Sequence, residues 1–503
     1  MTRLTRRQFL VRSGASVAGT VLAASLADRL LAATTKASPA TVSADATTRL
    51  ADQLATIVAD LERKYPYASA LYSAQTGIGM SIDRKGKRVS ESGFPTQGVC
   101  IRVFDGSSFH EMAVGSTSPD DIAAAAKSLR NEVTVGKQEF KIGPMPAHSQ
   151  VWRTTMEKDP AGISLSDRLA LLEREFARAN WDDPRVKSVR VSTDVGDIRR
   201  IFVDRNQRLT SLTTTIAHNL LLFGFDQGKP GFGFTRRVGQ AGLELATFPD
   251  AQLERVRKEF VESFGAEQVP AGEYEVVFAP SVTGLLAHES FGHGVEMDQF
   301  VKQRAKAAEF LGKPVASKIV TLLDDPSMPG KRGSYPFDDE GLISSPTTII
   351  ENGVFVQPLT DLMSATFLTK RRTPNGRTQA WDRKVYARMS NTFIANGTSD
   401  PAEVLGSLKD GLYLEGFRNG IEDPQGWGIQ FTADTAREYK NGKPTGRLFA
   451  PATVTGYVPE ILSNITMVAN DLDLVPGTCG KGFKEWVPVT SGGPHIRTKA
   501  RVS

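Results

Sequence analysis

Apolar residues recur at three- and four-residue intervals in four stretches of the first half of the chain, and each predicts an amphipathic helix. Leu50, Leu54, Ile57, Val58 and Leu61 mark the first. The second opens at Ser118-Pro119-Asp120-Asp121, where a capping residue, a proline at the first helical position and first-turn acids precede Ile122 and Ala126. A third covers 166–180, and a fourth covers 250–264 with Leu253, Val256, Phe260 and Phe264 on one side. Alternating runs at 67–73, 77–83, 87–92, 98–104, 186–192, 198–204 and 209–222 read as strands of an antiparallel meander, with turns at 84–86, 105–106 and 205–207. Residues 49–264 therefore read as an N-terminal α/β domain with a curved antiparallel sheet and flanking helices. Gly231-Phe232-Gly233-Phe234 and Gly492-Gly493-Pro494 read as turns or bulges, since neither has the strand, glycine pattern and helix of a phosphate cradle.

The pattern changes after residue 264. A strand at 273–278 is followed by a helix start at Pro280-Ser281, which we expect to be launched from a sheet edge. Short alternating runs then follow at 315–323, 347–350, 354–359, 391–395, 450–458 and 465–470, in sequence rich in Gly, Thr and Val. They predict that 265–503 is a β-rich, barrel-like C-terminal domain carrying that helix. The fold class expected for the whole chain is α+β.

Composition agrees with a folded protein: of 503 residues, 40% are hydrophobic and 23% charged. The formal charge of +5 is concentrated at the start, where residues 1–33 hold five arginines and one acid. The remainder is close to neutral and gives no reason to expect nucleic acid as a partner. Thr5-Arg6-Arg7-Gln8-Phe9-Leu10, an apolar small-residue run and Leu31-Ala32-Ala33 make 1–33 resemble a twin-arginine export signal, with 34–48 a polar linker. The expected location is periplasmic or otherwise exported, with no stable membrane insertion once the signal is removed.

Candidate chemistry concentrates in Ala287-His288-Glu289-Ser290-Phe291-Gly292-His293-Gly294, which holds two of the six histidines and a carboxylate directly after the first. Such a trio suits a zinc hydrolase that reserves a Glu for activating water. The offset of five is unusual, because a regular helix would splay the rings about 140° apart. Convergence requires either a local unwinding, for which Gly292 is the natural place, or a π-type turn. Ordinary core histidines beside a surface Glu remain the alternative. The chain has only two cysteines, Cys100 and Cys479, which could form one disulfide in an oxidising compartment or leave Cys479 as a third ligand. Asp324, Asp325, Asp338, Asp339 and Glu340 read as solvated acidic turns. His110, His148, His218 and His495 lack a ligand-spaced partner, and His495 is the one placed for a supporting or substrate contact.

An ordered set of motifs adds to this: Ala271-Gly272-Glu273-Tyr274-Glu275-Val276-Val277, His288-Glu289-Ser290-Phe291-Gly292-His293-Gly294, Asp338-Asp339-Glu340-Gly341, Arg388-Met389-Ser390-Asn391-Thr392 and Pro476-Gly477-Thr478-Cys479-Gly480-Lys481. In these the chain resembles the TldD/PmbA family of zinc metallopeptidases, once described as modulators of DNA gyrase, over about residues 50–500. The resemblance is to the catalytic, TldD-like type. It implies one zinc ion per chain held by His288, His293 and Cys479, with Glu289 as general base toward a water. It further implies peptide substrates that are short or unfolded, and a homodimer or a heterodimer with a related subunit enclosing a chamber. Cys479, between Gly477 and Gly480, is expected on a flexible turn. The other function considered is a non-catalytic peptide-binding or assembly subunit of such a dimer. A disulfide between Cys100 and Cys479 would favour it by consuming the thiolate.

Overall fold

Alternation of apolar and polar residues builds a sheet that is antiparallel except for one parallel pair, His148–Arg153 on Gln207–Asp226, and its strands are longer than the interrupted patterns suggest. The structure, a computed structural model, describes residues 44–91, 96–143, 145–481 and 485–503. The leader and most of the expected linker lie outside the described residues. Helix α1 (Ala44–Leu61) begins within the stretch expected to be linker. Residues 51–503 form one compact unit.

Eight strands make the first sheet: β1 (Tyr67–Asp83), β2 (Gly86–Glu91), β3 (Thr96–Phe104), β4 (Phe109–Val114), β5 (His148–Arg153), β6 (Val186–Val203), β7 (Gln207–Asp226) and β8 (Lys229–Gly239). Its order is β4-β3-β1-β6-β7-β5, with β2 on β1 and β8 on β7. The interruptions read as breaks near Gly77 and after Ser192 are not breaks. Gly77 faces Gly196 across β1 and β6, and the ladder runs on through both. Helices α2 (Pro119–Glu132), α3 (Leu165–Ala179) and α4 (Asp250–Ser263) fall where their periodicity places them. The cluster of Val191, Leu220, Leu222, Phe248, Val256 and Phe260 forms much of the core between this sheet and its helices.

The Gly-Phe-Gly-Phe stretch is not a turn; it belongs to β8. A Cβ at Gly231 would come within 2.3 Å of the Phe264 ring, and one at Gly233 within 3.1 Å of Phe260 Cβ. These glycines let α4 lie close on the sheet, a packing role that resembles turn chemistry when only the letters are read.

The second half is also mainly sheet. We label β9 (Gly272–Phe278), β10 (Asn391–Ile394), β11 (Asn419–Asp423), β12 (Gly428–Ala433), β13 (Asp473–Lys481), β14 (Glu485–Gly493) and β15 (Ile496–Val502). A nine-stranded sheet contains β11, β12, β15 and β9, and a six-stranded sheet contains β10, β14 and β13. The α+β class holds, but the barrel-like closure expected here is not formed among the described residues. The nine-stranded order ends on β11 at one side and on Lys443–Phe449 at the other, and these two do not pair.

Helix α5 (Pro280–Phe291) follows β9, which is a central strand flanked by Gly411–Glu415 and β15 and not the expected edge. Every residue from Val282 to Phe291 is buried, because α5 contacts strands of both sheets. A Cβ at Gly284 would lie 2.6 Å from the Gly492 amide nitrogen and one at Gly493 2.3 Å from Thr283 Cγ2, so small residues set the close approach of α5 to β14. No described helix is long and apolar enough to cross a membrane.

Candidate metal centre

Pro280 starts α5 with a fixed φ and no amide to leave unpaired. The helix stops at Phe291, Gly292 takes φ −88° and ψ −80°, and a single 3-10 turn covers His293–Val295. A break of the helix, not a π-type turn, therefore converges the histidines: their ring centroids are 5.1 Å apart with planes at 87°. Only glycine fits at the break, since a Cβ at Gly292 would sit 2.0 Å from Met389 Sδ and 2.2 Å from the His288 carbonyl oxygen.

Cys479 arrives from the other side. It lies on β13, paired with Val487 of β14, so it is held by a strand ladder and not on the flexible turn its flanking glycines suggest. Its Sγ is 3.2 Å from His293 Nε2. One ligand atom each from His288, His293 and Cys479 can be chosen so that all lie within 4.8 Å of one another, the one such trio among the described residues. Both cysteines are free, so the alternative that Cys479 is spent in a disulfide with Cys100 falls.

Electrostatics favour ligation. Burial alone would raise the Cys479 pKa, but the adjacent His293 and His288 rings outweigh it and bring the thiol well below its ordinary range. His293 Nδ1 lies 3.1 Å from Glu296 Oε2. A carboxylate can only accept, so Nδ1 carries a proton, and Nε2 is the nitrogen that faces the sulfur and would be the one to bind a metal. Glu296 is buried, which opposes ionisation, yet Lys481, His293 and Arg388 hold its pKa down to about 2. Lys481 Nζ stands 2.9 Å from Glu296 Oε2 and 2.5 Å from Asp298 Oδ1. Arg388, fully buried, donates from Nη2 to the Cys479 carbonyl at 2.8 Å and to its sulfur at 3.3 Å.

A cavity of about 530 Å³ opens onto this cluster, lined by His288, Glu289, His293 and Cys479 and walled by β11 and β13. Both walls are edge strands of their sheets. Glu289 backs onto Gly420 of β11, where a Cβ would come within 2.4 Å of its Oε1. Glu422, on the same strand, is pushed up to about 9 by burial, with Glu296 and Glu289 adding to the shift and His293 opposing it.

The residues fit a metal. His288 Nδ1 is buried without a hydrogen-bond partner among the described residues, the thiol is biased to its anion, and two imidazoles and a thiolate are a donor set that zinc prefers.

Comparison with known proteins agrees. Residues 271–503 match the model of the PmbA/TldA metallopeptidase C-terminal domain. A metalloprotease TldD homolog of Buchnera aphidicola is 32% identical over 423 residues, 80% of this chain and 85% of the relative. The chain belongs to the TldD/PmbA family. A metalloprotease of Methanocaldococcus jannaschii is 28% identical over 85% of this chain and 95% of its own length. The crystal structure of TldE from Thermococcus kodakarensis shares this TldD/PmbA fold, with a TM-score of 0.68 at 16% identity over 90% of this chain and all of that one.

Other candidates resolve differently. Asp338, Asp339 and Glu340 are buried, not solvated, and face the arginines Arg372, Arg200 and Arg102. Asp324 is also buried and accepts from Ser390 and Thr392. His495 is held by Asp471 and Tyr413 and does not line the cavity. Glu296, Lys481 and Arg388 carried no role in the sequence reading. For Glu296 the signal was its place three residues after His293.

Proposed function

We propose that this chain is an exported zinc-dependent peptidase that hydrolyses short or unfolded peptides, one zinc ion per chain held by His288, His293 and Cys479. The meeting of two imidazoles and a buried sulfur from separate elements carries the reading. When bound, zinc supplies a Lewis acid that polarises a peptide carbonyl and brings the pKa of water toward neutrality. Glu289 takes the proton from the attacking water and returns it to the leaving amine. Glu296 fixes the His293 ring and its tautomer, and Arg388 and Lys481 balance the negative charge of thiolate and carboxylates. The free edge of β11 offers backbone groups to an extended peptide, which favours broad sequence tolerance.

The similarity to TldE supports assembly with a second subunit, either a copy or a related chain. Export rests on the twin-arginine pattern of residues 1–33; cell fractionation of wild type against a variant with Arg6 and Arg7 changed to Lys tests it.

Glu289→Gln tests the peptidase. Turnover of a short unstructured peptide should fall by roughly 100- to 10,000-fold while zinc content stays at that of wild type. A variant that cleaves as fast as wild type would remove Glu289 from the reaction, and a wild-type protein that holds zinc yet cleaves no peptide would remove the peptidase.

A further inference from the structure

The hairpin of β7 and β8 has two unlike faces. Its inner face is the glycine-rich one under α4. On its outer face Phe223 pairs across the ladder with Phe232, and Leu221 with Phe234. Phe225 follows two residues after Phe223 on the same side. Phe223, Phe225, Phe232 and Phe234 are all exposed, Phe232 at 51%. Four phenylalanines on one open sheet face are more than the scattered apolar exposure of an ordinary surface.

This face does not end in isolation. The Arg236 guanidinium lies 5.9 Å from the Phe234 ring centroid and 5.3 Å from that of Phe417. Phe417 lines the cavity of the metal centre. Arg236 also donates to the Pro476 carbonyl of β13, the strand that carries Cys479. An aromatic track bridged by the Arg236 guanidinium thus leads from the hairpin to the rim of the site. Its spacing suits an extended chain, whose same-side residues repeat at about 6.7 Å; the Phe232 and Phe234 centroids are 6.5 Å apart.

We propose that the outer face of the β7–β8 hairpin is a docking surface for the apolar side chains of an extended peptide substrate, outside the catalytic cavity and continuous with it. The proposal rests on the peptidase reading above. It makes the protein select peptides that reach several residues past the cleaved bond and carry aromatic or aliphatic residues at alternate positions. None of the four phenylalanines touches the metal cluster, so their loss leaves the chemistry intact.

The test compares wild type with the double variant Phe232→Ser/Phe234→Ser on three substrates: a tetrapeptide, a polar dodecapeptide, and a dodecapeptide with Phe or Leu at alternate positions. For the apolar dodecapeptide KM should rise about tenfold with kcat within about twofold, and the other two should be unchanged. Equal KM values for the apolar dodecapeptide in both proteins overturn the proposal. So does a variant that sediments as a monomer where wild type is a dimer, because the face would then be a contact between subunits. If wild type cleaves no peptide, the peptidase reading fails separately, and fluorescence polarisation of the labelled apolar dodecapeptide still decides: binding lost in the double variant supports docking, and equal binding refutes it.

Discussion

The first sheet and the second half of the molecule each hold one cysteine and at least one buried histidine, and the same two side chains meet opposite fates. In the first sheet His218 packs against Phe248, and burial, with Arg237 adding to it, lowers its pKa to about 4. Cys100, in the same sheet, is pushed up to about 12 by burial and by Glu111. Both are driven to their neutral forms. Around α5 burial works in the same direction, yet Cys479 and Glu296 draw His293 well above the ordinary imidazole range, and the two rings draw Cys479 well below the thiol range. Burial alone neutralises; burial beside a complementary partner charges. That reversal separates the metal centre from a histidine that only fills a core.

The largest expected break in this comparison is Cys479→Ser. A hydroxyl in place of a thiolate removes one of the three ligands proposed above. If ligands share a binding free energy of roughly 10–16 kcal/mol, one is worth about 4 kcal/mol, or about a thousandfold in affinity. Chelator competition should read that loss, and peptide turnover should vanish with it. Zinc held as tightly as in wild type would remove Cys479 from the ligand set.

How much of this was legible in the letters differs between the same two regions. In the first, α2, α3 and α4 follow from caps and apolar spacing, because helix signals are local. In the second, β13 and β14, which place Cys479, gave no strand signal. Gly477, Gly480, Gly492 and Gly493 dilute the alternation, although Gly492 and Gly493 are there for close packing against β13 and α5. His288, Glu289 and His293 stood out by spacing, whereas Arg388 reaches the site from the segment between Ala387 and β10 and Lys481 from the end of β13, an approach no local pattern reveals.

His218 gives the second largest effect. The fold keeps it neutral down to about pH 4, whereas in an unfolded chain it takes up a proton near pH 6.5. Below pH 6.5 the unfolded state therefore binds more protons, and stability falls as pH drops. The loss levels off near pH 4, at up to about 3 kcal/mol. Urea unfolding of wild type and His218→Leu from pH 7 to 4 isolates it: the difference between the two should shrink steadily over that window. A constant difference would mean that His218 titrates in the fold as it does in the unfolded chain, and the contrast with His293 would fail.

Glu296→Gln is a smaller change, aimed at the partner and not at the ligand. The amide keeps the volume but removes the charge that orients His293 and attracts Lys481. Zinc affinity should fall by roughly 10- to 100-fold with the ligands intact. An unchanged affinity would show that the thiolate alone sets the state of His293.

Cys100→Ala should do least, and that is its use. Cys100 faces Leu71 and Ala113 in the sheet, far along the chain from any ligand, and its thiol stays protonated at neutral pH. Trimming one partly buried sulfur should cost about 1 kcal/mol or less, with zinc content and peptide turnover at wild-type values. Alkylation sharpens the contrast further. With zinc stripped by a chelator at pH 7, iodoacetamide should modify Cys479, which lines the cavity as a thiolate, and spare Cys100. Modification of Cys100 first, or zinc lost on its removal, would mean that the two cysteines are not in opposite states, and the distinction between neutralising and charging burial would no longer mark the metal centre.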